Sequence, residues 1–311
     1  MTRSPFGAIV ALTLACAFAA MWPFRGDWAQ SIANTTMQRP LAHAKSWRFV
    51  RGDDLSAGVE SHVDLIVIAD TLANGNDGVS DINLDRLKSR SGGGAHLVLA
   101  HLAIAETSAE HATWDDAWRF DVPAWLHKSA CTSTASFDVN FWSEDWKKII
   151  FSAPGSILDR VIAAGFDGVH LGSIGRWQAF AQQHPSSRQD MIAFVTELAA
   201  TARAKKQGFL IVADDAGTLL SDINFRDLID GASTQGLMYR MDGSGQRRRF
   251  AEIEAAYQQL RLMQKDGKPV FAVEYLSKNL HVGRAAHDLR RRGLIPAFAV
   301  PGTSGDCLTA D

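Results

Sequence analysis

The chain of 311 residues is 46% apolar and 21% charged, which is typical of a folded soluble protein. Its length allows one barrel of roughly 250 residues or two smaller domains. The 32 basic and 34 acidic residues give a formal net charge of −2, which excludes an overall basic surface of the kind that binds nucleic acid. The one basic run, at residues 290–292, is interpreted as a solvated helix face.

The N-terminus carries the pattern of a secretory signal. Arg3 precedes a continuous apolar run, and the small residues at 17–19 offer a cleavage site. Residues 1–22 are therefore predicted to be a signal peptide, and residues 23–45 a lead-in to the fold. The alternatives are an uncleaved membrane anchor and a lipoprotein signal with Cys16 as the lipidated residue. In each case we expect export to the periplasm or the cell exterior, with membrane anchoring through the N-terminus only.

Export leaves two further cysteines, Cys131 and Cys307, in an oxidising compartment. They form one disulfide between a mid-chain loop and the C-terminal tail (304–311), or they are two unrelated thiols. The sequence leaves both interpretations open.

Eight short apolar segments follow the lead-in. Most are continuously apolar, as expected for strands that are covered on both faces, and helical patterns lie between them. Alternating strands and helices with eight strands predict a single (β/α)8 TIM barrel, an α/β fold, over residues 46–303. The segments are 47–50, 63–70, 96–106, 166–172, 209–215, 236–240, 270–276 and 295–300.

The segment between the third and fourth predicted strands, residues 107–150, is long and rich in tryptophan. A long loop on a barrel is usually functional, so this insertion is predicted to contribute to a site. Its tryptophans suit stacking on sugar rings, and packing of the insertion onto the barrel is the alternative. They are Trp114, Trp118, Trp125, Trp142 and Trp146.

In a (β/α)8 barrel the active site lies at the carboxyl ends of the strands. Several predicted strands end in polar residues, which would converge there, unless each acid caps a helix or pairs with a loop arginine. The end positions are Asp70, Glu106, Gly172, Asp214 with Asp215, Gln235 with Tyr239, Glu274 with Tyr275, and Pro301. The residues predicted to bind substrate are Asp70, Glu106, Trp142, Tyr239, Glu274 and Tyr275.

Other kinds of site have little support in the sequence. The ten histidines are scattered, and no HExxH or CxxC pattern occurs, so no metal site is predicted. His101 and His170 lie inside predicted strands and are interpreted as packed, hydrogen-bonded residues. The glycine-rich stretches lack phosphate-loop flanks, and no GxSxG nucleophile elbow occurs. With no cofactor predicted, acid–base chemistry by carboxylates, the usual route of glycoside hydrolysis, or binding alone remains.

The order of motifs from residue 46 to residue 300 carries a family resemblance. The stretches are "VDLIVIADT", "VLAHLAIAE", "PAWL", "FDVNFWSEDWKKII", "GFDGVHL", "MIAFVTELAATAR", "VEYL" and "GLIPAFAV". Together they resemble glycoside hydrolase family 114, the endo-α-1,4-polygalactosaminidases and similar hydrolase domains of exopolysaccharide systems. The resemblance implies a (β/α)8 barrel, a carbohydrate polymer or oligosaccharide as partner, and catalysis by two carboxylates.

The chain departs from the family pattern at the positions of those carboxylates. The family run Gly-Phe-Asp-Gly-Val-Tyr-Leu-Asp ends in an acid where this chain has Gly172, and a further family Asp falls at Gly175. The family Glu of strand six corresponds to Gln235. Glycine and glutamine cannot exchange the protons that glycoside cleavage requires. The resemblance therefore implies a barrel that has lost both catalytic acids of the family.

Four other acids are candidate replacements. Asp214 and Asp215 stand where the family commonly has a Gln-Asn pair after strand five. Glu106 and Glu274 match acidic positions of the family, in its Tyr-Leu-Ser-Ile-Gly-Glu-like run and its "VEY" stretch.

Three hypotheses follow from these observations. The first is an exported relative that binds an amino-sugar polysaccharide and is catalytically impaired or inactive. The second is an active glycosidase that uses relocated carboxylates about 5–9.5 Å apart. The third is a structural or assembly protein of an envelope polysaccharide system that contacts partners through the insertion.

Overall fold

The structure is a computed structural model that describes residues 39–51, 62–69, 84–89, 95–109, 111, 113–129, 136–242, 244–276 and 281–299. Several predictions fall outside these residues. They concern the signal peptide (1–22), Asp70, the cysteines, Pro301 and the C-terminal tail.

Eight parallel strands follow one another around a barrel, which confirms the predicted (β/α)8 fold. Each strand pairs with the next barrel strand along the chain. The first and last strands meet where the Trp47 indole N–H donates to the Ile295 carbonyl at 2.9 Å. The barrel strands are β1 (Trp47–Arg51), β2 (Leu65–Ala69), β3 (Leu97–Ala103), β7 (Gly168–Gly172), β8 (Leu210–Asp214), β9 (Gly231–Gln235), β10 (Val270–Tyr275) and β11 (Ile295–Ala299). Strands β4 to β6 belong to the insertion.

The continuously apolar strands are buried on both faces because alternate side chains point to opposite sides of the sheet. Val67, Leu99 and Val212 pack inside the barrel. Their neighbours, such as Ile66 and Ile211, pack outward against the helices.

Helices cover the outside of the barrel. Helices lie between barrel strands, as the sequence predicts, so the parallel strands have all of their carboxyl ends on the same side of the barrel. The helices are α1 (Arg39–Ala42), α2 (Leu84–Lys88), α3 (Glu144–Lys147), α4 (Ile157–Ala163), α5 (Trp177–Phe180), α6 (Ser187–Lys205), α7 (Ile223–Leu228), α8 (Phe250–Lys265) and α9 (Val282–Arg291). Short 3₁₀ segments lie at Asp116–Arg119, Ile174–Arg176 and Gly217–Ser221, and a π-helical turn at Lys148–Ser152.

The sixth barrel strand lies earlier in the chain than predicted. The prediction of a strand at 236–240 is wrong, because β9 is the small and polar segment Gly231–Gln235. This strand needs no apolar run, since Ser233 and Gln235 form hydrogen bonds inside the barrel. Gly236 follows with a φ of +54°, a conformation that favours glycine and ends the strand. Gln235 is therefore the last residue of its strand.

Part of the predicted lead-in belongs to the barrel. Leu41 and Ala44 are buried in the same cluster as the interior residues of the strands. A Cβ placed on Gly231 would lie 3.4 Å from Leu41 Cδ2, so α1 packs against the amino end of β9. Residues 39–45 thus close the barrel at the end opposite the strand carboxyl ends.

The insertion forms a small antiparallel sheet that packs on the barrel. Its strands are β4 (Glu106–Ser108), β5 (Leu126–Lys128) and β6 (Ser136–Val139), with β6 in the middle. Ring contacts link Trp114 to Trp118, Trp118 to Trp125, and Trp125 to Trp146, at centroid distances of 5.4, 5.0 and 5.4 Å. The Trp146 indole is fully buried and donates to the Ile104 carbonyl at 2.8 Å. These four tryptophans therefore hold the insertion in place.

Three aspartates stabilise the amino end of the barrel. Each precedes a strand and accepts a backbone N–H from the neighbouring strand or the residues leading into it: Asp64 from Lys45, Asp167 from Val98, and Asp230 from Ile211. Asp167 also pairs with Lys88, and Asp230 with Arg203. Asp167, although it lies in the stretch that leads to Gly172, belongs to this structural set because it is at the opposite end of β7.

We expect Asp230→Ala to lower the free energy of unfolding by about 1–3 kcal/mol, because the buried Ile211 N–H loses its acceptor. Chemical denaturation of the variant measures this change. Asp116→Ala is the matched control, since the Asp116 side chain is 85% exposed, and its effect should stay within about 0.5 kcal/mol. Equal stability of the two variants would contradict the structural role of Asp230.

Candidate functional site

The candidate site lies at the mouth of the barrel, the end formed by the carboxyl ends of the strands. Alternation along each strand directs a defined set of polar side chains into the interior near this end. They are His101 on β3, His170 on β7, Asp214 on β8, Ser233 and Gln235 on β9, and Tyr275 on β10. Hydrogen bonds connect all six, and we call them the Asp214 network.

Asp214 is the acceptor at the centre of this network. Ser233 Oγ donates to Oδ1 and Gln235 Nε2 donates to Oδ2, each at 2.6 Å. The Tyr275 hydroxyl donates to Gln235 Oε1 at 2.6 Å, which fixes the orientation of the amide. Because both carboxylate oxygens accept from side-chain donors, the arrangement fits an ionised Asp214.

The two histidines extend the network toward β3. His170 Nε2 lies 2.7 Å from Ser233 Oγ, and His170 Nδ1 lies 2.9 Å from His101 Nδ1. Since the Ser233 proton goes to Asp214, His170 Nε2 must donate to Ser233, and His170 Nδ1 then accepts from His101. Burial, and secondly the neighbouring His101, lowers the pKa of His170 well below its ordinary value, in agreement with a neutral ring.

The space beside Gly172 is occupied by His101. A Cβ at residue 172 would lie 2.4 Å from Cε1 and 2.8 Å from Nε2 of the His101 ring. An acidic side chain therefore cannot be placed at 172 unless His101 moves. Gly175 is also confined, since its Cβ would lie 3.3 Å from the Asp215 carbonyl oxygen. Gly172 and Gly175 therefore stand at positions whose surroundings leave little room for a side chain.

Asp215 is held at the outer side of the β9 end. Its Oδ1 accepts from Thr234 Oγ1 at 2.8 Å and from the Gln235 N–H at 3.1 Å. Thr234 alternates with the inward-facing Ser233 and Gln235, so its side chain points toward the helices. Asp215 itself has a φ of +44°, which turns the chain sharply after β8. This carboxylate therefore fixes the strand end from outside the barrel interior.

Glu106 is the first residue of β4, in the insertion sheet, and is paired with an arginine. It is buried in β4, with Oε2 at 3.9 Å from Arg176 Nε. Arg176 also contacts Asp138 and donates to Ser129 Oγ at 2.9 Å. Arg176 thus pairs with two carboxylates. For Glu106, this agrees with the alternative that the sequence left open, in which the acid pairs with a loop arginine.

Glu274 points away from the barrel interior, although it lies near the end of β10. Its neighbours Val273 and Tyr275 pack inside the barrel, so Glu274 points outward and is fully buried. The carboxylate accepts the N–H groups of Met238 and Tyr239 at 2.8 and 3.1 Å. It organises the loop after β9, and we exclude it from the candidate site.

Burial raises the pKa of Glu274 to about 7, although its two backbone donors act in the opposite direction. An ordinary glutamate in the unfolded chain has a pKa of about 4.3. The folded protein therefore binds the extra proton between these values, and its stability falls as the pH rises through this window.

We expect ionisation of Glu274 to lower the free energy of unfolding by on the order of 3 kcal/mol as the pH rises from about 4 to about 8. Glu274→Gln cannot ionise, so that part of the pH dependence should disappear. At low pH the variant should be less stable than the unmodified protein by about 1–3 kcal/mol. Its amide NH2 is a donor and would face a backbone N–H, which is also a donor. Urea unfolding across the window compares the two proteins, and identical pH profiles would contradict the assignment.

Two predicted aromatic binding residues are engaged in packing contacts. Trp142 stacks on His184 with centroids 4.0 Å apart, and Phe180 contacts its edge at 5.1 Å. Tyr239 is buried and stacks on His281 at 5.5 Å. Of the predicted binding residues that the structure describes, Tyr275 is the one joined to the Asp214 network.

The histidines and Ser233 were not predicted as site residues. Each histidine taken alone fits a packed core residue, which is the more common role. The available signal was their alternation, since both face the interior and their strands pair in register at these residues. Both also stand where the quoted family runs have tyrosine.

Within the described ranges, no group of three or more His, Cys, Asp or Glu residues is arranged to hold a metal ion. None of the described helices combines the length and the apolar character needed to cross a membrane.

Comparisons with known proteins identify the family of this chain. The model of glycoside-hydrolase family GH114 matches residues 42–299, which include all eight barrel strands. An uncharacterised protein of Deinococcus radiodurans is 32% identical over 200 residues, which are 64% of this chain and 62% of the relative. An uncharacterised protein of Methanocaldococcus jannaschii is 26% identical over 241 residues, 74% of this chain and 66% of the relative. The matches thus span about two thirds or less of these relatives.

Solved structures share the fold at low sequence identity. The glycoside hydrolase domain of PelA from Pseudomonas aeruginosa superposes with a TM-score of 0.58 at 17% identity, covering 83% of this chain and 95% of that domain. The α-galactosidase TtGalA from Thermus thermophilus gives a TM-score of 0.53 at 11% identity, covering 83% of this chain and 58% of that enzyme.

Proposed function

Because the chain belongs to glycoside-hydrolase family GH114, we propose that it binds an amino-sugar polysaccharide at the barrel mouth and cleaves it poorly or not at all. The observation that supports this proposal is the identity of the residues at two positions of the barrel mouth. Position 172 is a glycine whose space is taken by His101, and position 235 is a glutamine bonded to Asp214. The N-terminal signal pattern supports a place of action outside the cytoplasm.

The carboxylate at the mouth has changed strands relative to the family pattern. In the family, a carboxamide commonly follows strand five and the Glu belongs to strand six. Here the carboxylate is Asp214 on β8 and the carboxamide is Gln235 on β9, and a 2.6 Å hydrogen bond joins them. The carboxylate and the carboxamide have thus exchanged strands relative to the family pattern.

Among the candidate replacements in the described part of the chain, one carboxylate faces the barrel interior, and one is too few for the family's reaction. Glycoside cleavage uses one carboxyl group to protonate the leaving oxygen and a second to attack or to activate water. Among the candidate replacements, Asp215, Glu106 and Glu274 are each held in other contacts, which leaves Asp214 in the interior. Loss of one acid–base role typically lowers the rate by about 10²–10⁴-fold.

The polar groups that the structure describes at the mouth suit a sugar. Gln235 is partly exposed, and the buried Tyr275 and Asp214 behind it orient its amide, which can pair with sugar hydroxyl and amino groups. A net negative charge on Asp214 also favours a ligand that carries free amines. The barrel mouth therefore retains the features of a binding site.

We expect the full chain to bind an α-1,4-linked galactosamine oligosaccharide in calorimetry and to release no reducing ends from it. Asp214→Ala should weaken binding at least about tenfold, because the variant loses the charge and the acceptor of the network. Asp116→Ala, on the exposed surface, should bind like the unmodified protein. Catalytic release of reducing ends that Asp214→Ala abolishes would establish instead an active glycosidase with a relocated carboxylate.

Introducing the acidic residues of the family pattern tests the same proposal, because it should create cleavage activity. We expect cleavage from a variant that combines Asp214→Gln, Gln235→Glu, Gly172→Asp and His101→Ala, at least about 10²-fold above the unmodified chain. The same variant with His101 retained should stay inactive, since residue 172 has no room for a side chain. Equal activity of these two variants would contradict the steric argument, and reducing-end assays distinguish them.

A further inference from the structure

His101 occupies the place in the mouth that the resemblance assigns to the strand-four acid. Its ring reaches from β3 along the strand direction to the level of Gly172, the last residue of β7. Nε2 lies 2.8 Å from the point where a Cβ of residue 172 would be. The side chain is partly exposed, whereas His170 below it is buried. His101 is thus the outermost member of the histidine pair.

The hydrogen bonds of the network determine which His101 atom is available to a ligand. Nδ1 carries a proton and donates it to His170 Nδ1, because His170 in turn donates to Ser233. In the part of the chain that the structure describes, Nε2 of His101 forms no hydrogen bond. A neutral ring with its proton on Nδ1 presents a lone pair at Nε2, and a protonated ring presents an N–H there. Neither state disturbs the bond to His170.

Packing holds the imidazole in this orientation. Phe49 meets the ring edge-on at a centroid distance of 5.4 Å and an angle of 71°, and His170 lies at 5.2 Å. A ring fixed by its neighbours and by one hydrogen bond loses little conformational freedom when a ligand binds. The position therefore has the features of a preorganised contact.

We propose that Nε2 of His101 contacts the bound glycan directly, as hydrogen-bond partner of a sugar hydroxyl or amino group beside β7. This inference rests on the proposed function, since it assigns a residue to the same mouth. It gives His101 a different role from the Asp214 carboxylate, to which it is linked through His170 and Ser233. The ligand contact takes the place that an acid would fill in a cleaving enzyme.

Two substitutions separate a ligand contact from a structural role. Asn at 101 keeps a donor near Nδ1 and lacks any atom near Nε2, whereas Gln keeps polar atoms near Nε2 and lacks the Nδ1 donor. We expect His101→Asn to weaken binding of the α-1,4-linked galactosamine oligosaccharide about tenfold and His101→Gln to stay within about threefold of the unmodified protein. A purely structural role predicts the opposite order.

The unmodified protein decides between failure of this inference and failure of the proposed function. If it does not bind the oligosaccharide, the proposed function falls, and the inference falls with it. If it binds and His101→Asn binds equally well, only the role of His101 is overturned. Should His101→Asn fail to fold, the ¹⁵N resonance of His101 Nε2 in the unmodified protein provides the test. A shift on titration with the oligosaccharide supports the contact, and an unchanged resonance contradicts it.

Discussion

The buried carboxylate of Asp214 is the interaction on which the rest of the mouth depends. Charge inside a barrel is stable only when it is paired or hydrogen-bonded, and here each oxygen accepts one side-chain donor from β9. Ser233 and Gln235 must therefore be polar, which explains why this strand lacks an apolar run. The same requirement orients His170 and Tyr275, and through His170 it orients His101. One acceptor thus sets the direction of hydrogen bonds across five strands.

The hydrogen bonds and packing at the mouth bear on the two positions, 172 and 235, where the chain departs from the family pattern. At position 235, where the family resemblance implies a glutamate, Gln235 donates to Asp214 on the adjacent strand. The absence of a side chain at 172 is likewise matched by the imidazole of His101. Gly172 and Gln235 are thus both well packed and hydrogen-bonded in their surroundings. We propose that this arrangement keeps the hydrogen bonding of the mouth without the pair of acids that cleavage requires.

The barrel, its helices and its strand order could be predicted from the sequence, because continuous apolar strands such as β8 and amphipathic helices have strong patterns. β9 could not, since its inward side chains satisfy a carboxylate rather than an apolar core. The positions of Gly172 and Gln235 were found through the family runs. Glu274 was misplaced because its strand is buried on both faces, so apolar content does not show which face the acid occupies. The role of His101 depends on the contact of its ring with Gly172 on the neighbouring strand, and a local sequence pattern cannot predict such a contact.

The direction of the hydrogen bonds from His101 to Asp214 is the central claim, and the protonation of the two imidazoles measures it most directly. Long-range ¹H–¹⁵N correlation spectra of the ligand-free protein distinguish protonated from unprotonated ring nitrogens. The account predicts a neutral His170 that carries its proton on Nε2, and a His101 that carries one on Nδ1. A His170 with its proton on Nδ1, or with both nitrogens protonated at neutral pH, would contradict it.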